Sequence, residues 1–331
     1  MEAMARVFSG IQPTGELHIG NYLGAIRNWV AMQDRYDCVF CIVDLHAMTI
    51  PYDAGELPRR VLNTAATLLG CGIDPDRSVL YVQSHVREHT ELCWILNCIT
   101  PLGSLERMTQ FKDKARQHKE NVNAGLLNYP ILQAADILLY KAALVPVGED
   151  QVQHLELSRD LARRFNYLFG ETFPEPQAHL TKAARVMALN DPTRKMSKSL
   201  PGSYVALTAS ADEIQALVRR AVTDTGPGGE GMSPGVANLF TLLESFSSPE
   251  TVTRFREAYE QGTLRYVELK QQLAQDLVQG LAPIRERYLE LMARPKELRD
   301  ILAHGAERAR AIAQATMEEV RAKIGLVLPS A

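Results

Sequence analysis

Short continuous apolar runs alternate with amphipathic stretches over the first two hundred residues, and this alternation constrains the fold more than any other feature. The run Cys38 to Asp44, Cys-Val-Phe-Cys-Ile-Val-Asp, is typical of a parallel strand that is buried on both faces. Strands separated by helices require crossover connections, so the pattern predicts an α/β fold with a doubly wound parallel sheet. We expect strands at 6–9, 38–44, 78–83, 144–147 and 186–189.

The helices predicted between these strands cover 21–35, 55–71, 88–98, 130–140 and 151–165. We place Pro130 at the first position of its helix, where the missing N–H costs no hydrogen bond. After Ser199 the pattern is helical, with helices at 211–222, 237–246, 249–259, 264–292 and 296–324, and a Gly- and Pro-rich mobile loop at 223–235. The sequence thus predicts a Rossmann-like domain over 1–200, with a helical insertion at about 104–143, and an all-helical domain over 201–331.

Composition excludes several classes of protein. Hydrophobic residues make up 46% and charged residues 23% of the 331 residues, which excludes wholesale disorder. A formal net charge of −3 argues against a basic DNA-coating protein, and the short apolar runs predict no membrane span. The five cysteines and the lack of a signal-like N-terminus indicate a cytoplasmic protein whose thiols are free and mostly buried.

The first candidate site runs from Phe8 to Asn21, where a strand ends, a turn follows and a helix begins. Such a turn directs backbone N–H groups and a positive helix end towards an anion bound above the strand. Gly20 permits close approach of the backbone, and His18 and Asn21 can donate to phosphate oxygens. The candidates here are Gln12, Pro13, Thr14, His18, Gly20 and Asn21. An ordinary turn before a helix would read the same way.

The second candidate site is Lys195-Met196-Ser197-Lys198-Ser199, in a polar stretch beside the predicted domain boundary. Two ammonium groups three residues apart, flanked by hydroxyl groups, suit a triphosphate. A solvated loop between two domains is the alternative explanation.

The third candidate site is one face of a helix that carries Tyr129, Gln133, Asp136 and Tyr140. The spacings of four, three and four residues align these side chains. Asp136 stands among apolar residues, so its carboxylate needs a donor. The donor could be an indole N–H of a ligand or a protein side chain, and the residues alone leave both open.

The fourth candidate site is Gly148-Glu149-Asp150-Gln151, which follows a predicted strand and could equally be a helix N-cap. Asp44 and His46 follow the second strand, and a place for His46 in a ligand pocket is favoured over a metal site because no third ligand is evident. Lys112, Lys114, Arg116 and Lys119 form a basic stretch that is either a solvated helix face or an RNA contact.

Taken together, these motifs resemble those of the class I aminoacyl-tRNA synthetases. His18-Ile-Gly-Asn21 and Lys195-Met-Ser-Lys-Ser199 are similar to the paired motifs of that class. Phe8-Ser-Gly-Ile-Gln-Pro-Thr-Gly15, with Asn21 closing the first motif, resembles the tryptophanyl branch in particular. The similarity extends over nearly the whole chain and weakens after Gly202.

The resemblance implies ligation of L-tryptophan to tRNA(Trp) through a tryptophanyl-adenylate, with ATP as substrate, Mg²⁺ bridging its phosphates, and a homodimeric enzyme. It implies that Asp136 binds the indole nitrogen, that Asp150 binds the ribose and that Val186 rests against the adenine. Catalysis falls to His18, Asn21, Thr14, Lys195 and Lys198. The nucleotide is bound by Gln12, Pro13, Thr14, Gly20, Asn21, Gly148, Glu149, Asp150, Val186, Lys195, Met196, Ser197, Lys198 and Ser199. Tryptophan is bound by Phe8, His46, Tyr129, Gln133, Asp136 and Gln151, with Gln133 at a position that is apolar in some relatives.

Three other functions compete with this interpretation: a tyrosyl-tRNA synthetase, a small nucleotidyltransferase, and a non-catalytic protein that binds tryptophan or RNA. The Gly148–Gln151 segment and Asn21 argue against the first, and the long helical second half argues against the second. An intact His18 and both lysines argue against the third. The helical half is implied to bind the anticodon, and Arg219, Arg220, Arg254 and Arg256 are its candidate phosphate contacts.

Overall fold

A parallel five-stranded sheet forms the centre of the molecule, with the strands in the order β3-β2-β1-β4-β5. The computed structural model describes residues 4–109, 111–112, 122–148, 151–180, 185–198, 200–223 and 231–327. The strands are β1 (Arg6–Ile11), β2 (Asp37–Ile42), β3 (Val79–Val82), β4 (Leu144–Val147) and β5 (Gln177–Leu180). The chain builds the sheet outwards from β1 in one direction and then in the other. The doubly wound fold predicted from the sequence is therefore confirmed.

Helices connect the strands and cover both faces of the sheet. In the first half they are α1 (Ile19–Asn21), a π-helical turn (Tyr22–Ile26), α2 (Arg27–Met32), α3 (Asp44–Ala47), α4 (Leu57–Gly70), α5 (Glu88–Ile99), α6 (Leu102–Glu106), α7 (Ala124–Leu139) and α8 (Val152–Phe169). In the second half they are α9 (Ala211–Arg220), α10 (Pro234–Phe246), α11 (Pro249–Glu260), α12 (Tyr266–Met292) and α13 (Pro295–Lys323). Within the ranges given above, every helix is too short or too polar to cross a bilayer.

Two hydrophobic clusters lie on opposite faces of the sheet. Successive residues of β2 enter them alternately: Cys38 and Phe40 belong to one cluster, Val39 and Cys41 to the other. This is the two-residue period of a strand, and it explains why the sequence of β2 is apolar throughout. Burial raises the pKa of the Cys38 thiol to about 12, as expected for an inert thiol.

The C-terminal helices share both clusters with the sheet domain. Helix α12 contributes to the cluster that contains α4, whereas α13 contributes to both clusters and lies along β3. At their closest contact Gly305 of α13 meets the backbone of Leu80. A helix that packs against an edge strand protects that strand from pairing with a strand of another molecule. The division into domains at residue 200 stays a prediction.

Two local predictions are wrong. Residues 186–189 do not form a strand; Met187 makes only an isolated bridge with Lys195, and the fifth strand is Gln177–Leu180 instead. The helix around Pro130 begins at Ala124, because the Asn123 side chain caps it by accepting a hydrogen bond of 2.9 Å from the Leu126 N–H. Pro130 thus lies inside the helix.

The contact between Gly305 and β3 yields a stability prediction. A Cβ at residue 305 would lie 1.8 Å from the Leu80 carbonyl oxygen, so Gly305→Ala must push α13 off the strand. We expect the free energy of unfolding to fall by about 3 kcal/mol. Gly24→Ala is the control, because a Cβ there meets no described atom within 4 Å. The added Cβ only reduces the backbone entropy of the unfolded chain. Urea denaturation of both variants checks this, and equal midpoints would contradict it.

Candidate active site

A cavity of about 260 Å³ opens between the carboxyl ends of β1 and β4, where the direction of sheet building reverses. Doubly wound sheets bind their ligands at this place. All six residues predicted to hold the amino acid line the cavity, namely Phe8, His46, Tyr129, Gln133, Asp136 and Gln151. Its apolar walls come from Val43, Ile137, Val145, Pro146 and Val147. The structure therefore brings this predicted set together, while its role in binding stays a prediction.

The Asp136 carboxylate is held by three protein donors from other parts of the chain. His46 Nε2 lies 2.8 Å from Oδ2, while His89 Nδ1 and Gln83 Nε2 lie 2.6 and 2.7 Å from Oδ1. The side chain is 1% exposed and still forms part of the cavity wall. Burial alone would raise the pKa of this carboxyl, but the hydrogen bonds and charges of His46 and His89 outweigh it and hold the pKa well below the usual range. The cavity thus presents an ionised carboxylate.

A second set of polar side chains lines the cavity beside Asp136. The Tyr129 hydroxyl lies 3.0 Å from His154 Nε2, and His154 Nδ1 lies 3.0 Å from Gln151 Oε1. Gln133 Nε2 donates to the same Gln151 oxygen at 3.3 Å. The two glutamines are thereby fixed towards each other within reach of the cavity.

The loop that follows β1 leads from this cavity to the lysine segment. Gln12 lines the cavity, and three residues further on Gly15 accepts a hydrogen bond of 3.2 Å from Lys198 Nζ. The Ile19 N–H donates a hydrogen bond of 3.0 Å to the Val205 carbonyl, and this bond joins the start of α1 to the segment after the lysines. The two motifs, distant in sequence, therefore meet at one site.

His18 occupies the middle of this second site. Its Nδ1 is buried without a hydrogen-bond partner among the described residues, and a Cβ on Gly20 would approach this atom to 3.0 Å. Burial is the main cause that lowers the pKa of His18 to about 4, and the positive charges of Lys198 and Lys195 add to it. The ring is therefore neutral at pH 7. An orphaned nitrogen beside two ammonium groups is suited to an anionic ligand that can approach the ring. The Asn21 Oδ1 accepts a hydrogen bond of 3.1 Å from the backbone N–H of His18, and this bond orients the Asn21 amide.

The other residues predicted to hold the nucleotide are placed as follows. Pro13 is buried and Thr14 exposed at the turn, and Val186 and Met196 are buried and joined by a 3.1 Å backbone hydrogen bond. Lys195 is exposed, Ser197 is half-buried, and Gly148 is exposed at the end of β4. The predictions for Glu149, Asp150 and Ser199, and those for Lys114, Arg116 and Lys119, concern residues outside the described ranges.

Sequence reasoning missed Gln83 and His89, the two donors to Asp136 Oδ1. No helical or strand spacing links them to Asp136, because they lie 53 and 47 residues away. The available signal was that both follow the third strand, whose carboxyl end must face the same crevice.

A doubly wound sheet with a carboxylate-bearing cavity beside a cationic loop defines a nucleotide-binding α/β enzyme. The family model of class I tRNA synthetases (W and Y) matches residues 2–282. The tryptophan–tRNA ligase of Thermosynechococcus vestitus is 49% identical over 98% of this chain and 100% of that protein. That of Wolinella succinogenes is 48% identical over 97% and 99%. The chain belongs to the class I tRNA synthetases of this family.

Solved structures agree with this placement. The tryptophanyl-tRNA synthetase of Campylobacter jejuni, complexed with ADP and tryptophan, has a TM-score of 0.87 and 38% identity over 97% of this chain and 100% of that one. The tyrosyl-tRNA synthetase of Archaeoglobus fulgidus, at 20% identity and a TM-score of 0.68, covering 87% and 91%, shares the fold.

The site predicts a pH dependence of anion binding. Burial lowers the pKa of Lys198 to about 8, so its ammonium is present below that pH and lost above it. We expect the affinity for pyrophosphate to weaken as the pH rises through about 8, and the step to disappear in Lys198→Arg, whose guanidinium stays charged. Calorimetric titration across this range measures it. An equal step in both proteins would contradict the assignment.

Proposed function

We propose that this chain joins L-tryptophan to tRNA(Trp) at the expense of ATP, through a tryptophanyl-adenylate. The observation that carries the proposal is the ionised Asp136 carboxylate in the wall of a largely apolar cavity, which the loop after β1 joins to a site with His18 and Lys198. An indole N–H is donor only, so an anionic acceptor between apolar walls matches it. Lysines suit the triphosphate. The related tryptophan–tRNA ligases support the same substrates.

In the first step the tryptophan carboxylate attacks the α-phosphorus of ATP and the bond to the β,γ-pyrophosphate breaks. The carboxylate is ionised at neutral pH, so no general base is required. Catalysis then consists of in-line placement and of stabilising charge on the phosphoryl oxygens. His18, Asn21 and Thr14 act on one side of the phosphates, Lys195 and Lys198 on the other. Asp150 binds the ribose and Val186 the adenine.

Mg²⁺ bound to the ATP phosphates would add positive charge there, because phosphate oxygens are the ligands that it prefers. Within the described ranges, no group of three His, Cys, Asp or Glu residues could hold a metal ion. The chain's own cations, Lys195 and Lys198, face the same phosphates. ATP closes the lysine loop over the site.

In the second step the terminal ribose hydroxyl of the tRNA attacks the acyl carbon and AMP leaves. The helical second half contacts the anticodon arm. Of its candidate arginines, Arg256 is paired with Glu244, and Arg254 Nη2 lies 3.5 Å from Gln272 Oε1, so both are oriented at the surface of α11.

A homodimer in the cytoplasm completes the proposal. Trp94 of α5 is 71% exposed and Leu102 of α6 is 59% exposed, so both are available as apolar contacts for a second copy of the chain. Both belong to the sheet domain.

Removal of a lysine tests the chemical step. In tryptophan-dependent ATP–pyrophosphate exchange we expect Lys195→Ala to lower kcat about a hundredfold, because a charge that meets the departing pyrophosphate is lost. The KM for tryptophan should change little. Arg194→Ala is the matched control, since Arg194 is the neighbouring exposed cation of the same loop. Unchanged turnover of Lys195→Ala would remove the lysine from the mechanism. Absence of exchange by the unmodified protein would remove the function.

Replacement of Asp136 tests the specificity. Asp136→Asn keeps the shape of the side chain and removes its charge, so the preference for tryptophan over an analogue with sulfur in place of the indole N–H should fall by about 2 kcal/mol. Competitive exchange assays with both amino acids, and with tyrosine, measure it. Undiminished preference in the variant contradicts the role of Asp136, and exchange driven by tyrosine contradicts the choice of substrate.

A further inference from the structure

We propose that His89 is a positioning residue for the indole-binding carboxylate: held by Tyr81 and Tyr140, it donates the hydrogen bond that keeps Asp136 ionised and turned so that one lone pair of Oδ2 faces the cavity. The inference rests on the proposed function, because it concerns how Asp136 meets the indole N–H. None of these three supporting side chains lines the cavity.

The count of lone pairs on Asp136 supports this arrangement. A carboxylate has about four acceptor positions, two on each oxygen. On Oδ1 both positions are taken, by His89 at 2.6 Å and by Gln83 at 2.7 Å. On Oδ2 the described structure shows one donor, His46 at 2.8 Å. The one remaining position is therefore on the oxygen next to His46, and both residues form part of the cavity wall.

The surroundings of His89 fix which ring nitrogen carries the proton. An ionised carboxylate can only accept, so Nδ1 must donate to Asp136. His89 Nε2 lies 2.8 Å from the Tyr81 hydroxyl and 3.0 Å from the Tyr140 hydroxyl. Burial raises the pKa of both phenols well above the usual value, so both keep their protons and can donate. The tyrosines hold the ring so that Nδ1 carries the proton that it donates to Asp136.

Complete burial makes this contact decisive for the carboxylate. His89, Tyr81 and Tyr140 are all 0% exposed, so no water replaces a lost donor at Oδ1. The titratable groups that face Asp136 are His46 from α3, His89 and Cys93 from α5, Cys41 from β2 and Tyr140 at the end of α7. Burial raises the pKa of Cys93 to about 12 and raises that of Cys41, so these thiols stay neutral. The hydrogen bonds from the two histidines are what keep Asp136 ionised.

A pair of substitutions separates positioning from mere packing. The amide nitrogen of an asparagine can occupy the place of Nδ1, whereas that of a glutamine reaches the place of Nε2. We therefore expect His89→Gln to raise the KM and the equilibrium Kd for tryptophan about tenfold, with the KM for ATP and kcat nearly unchanged. His89→Asn should restore most of the affinity. Equal losses in both variants, or a fall of kcat without a change in the Kd, would overturn the proposal.

Two further readouts respond to the charge of Asp136 and not to general stability. Without the His89 donor the pKa of this buried carboxyl rises, so the KM of His89→Gln for tryptophan should increase as the pH falls, while the unmodified protein shows no such slope from Asp136. The preference for tryptophan over the sulfur analogue should also fall in His89→Gln. Tryptophan-dependent exchange by the unmodified protein is measured first and tests the function alone. A flat pH profile and intact preference in the variant would then overturn only the inference.

The tyrosines provide an independent check through non-additivity. Either hydroxyl alone can donate to His89 Nε2, so Tyr81→Phe and Tyr140→Phe should each change the Kd for tryptophan by less than about twofold. The double variant loses both donors and should weaken tryptophan binding about fivefold or more. Additive small effects in the double variant would show that the tyrosines do not hold the histidine.

Discussion

The burial of one negative charge organises the substrate side of this molecule. Asp136 is removed from water, so its carboxylate is tolerable only with donors, and these come from α3, from the turn after β3 and from α5. A charge held from three directions leaves little freedom for the elements that supply the donors. The crevice therefore has a defined shape before any ligand arrives, and a preformed acceptor binds without the entropy cost of ordering it.

The loop after β1 connects this preformed pocket to a second site with the opposite electrostatics. Here the carbonyl of Gly15 holds the Lys198 ammonium, and the neutral ring of His18 lies beside it, with its buried Nδ1 unpaired among the residues that the structure describes. An unpaired buried group and cations partly withdrawn from water are unfavourable in the free protein. A bound polyphosphate would satisfy both groups, which supports the proposal of a nucleotide site here.

The sequence predicts the fold well where a local signal exists, as in β2 and β4, whose apolar runs coincide with strands. The prediction fails at Pro130, because the cap at Asn123 outweighs the helix-breaking tendency of proline. It also fails at β5, because Gln177 and His179 interrupt the apolar run of that strand. Among site residues, those on one helix face or in one motif are found. Gln83 and His89 are not, because only the strand order brings them to Asp136.

The two parts of the site also differ in rigidity, and this difference suits them to different functions. Asp136 and its donors are enclosed, so they can reject a side chain that lacks an N–H but cannot follow a moving group. Lys195 is exposed, although its segment is tied to the rest of the chain through Met187, Met196 and Lys198. A long flexible cation can follow the charge as it moves from the α-phosphate to the departing pyrophosphate. The proposed roles divide accordingly: discrimination falls to the enclosed helix face and acceleration to the exposed lysine, so substitutions in one should leave the other function largely intact.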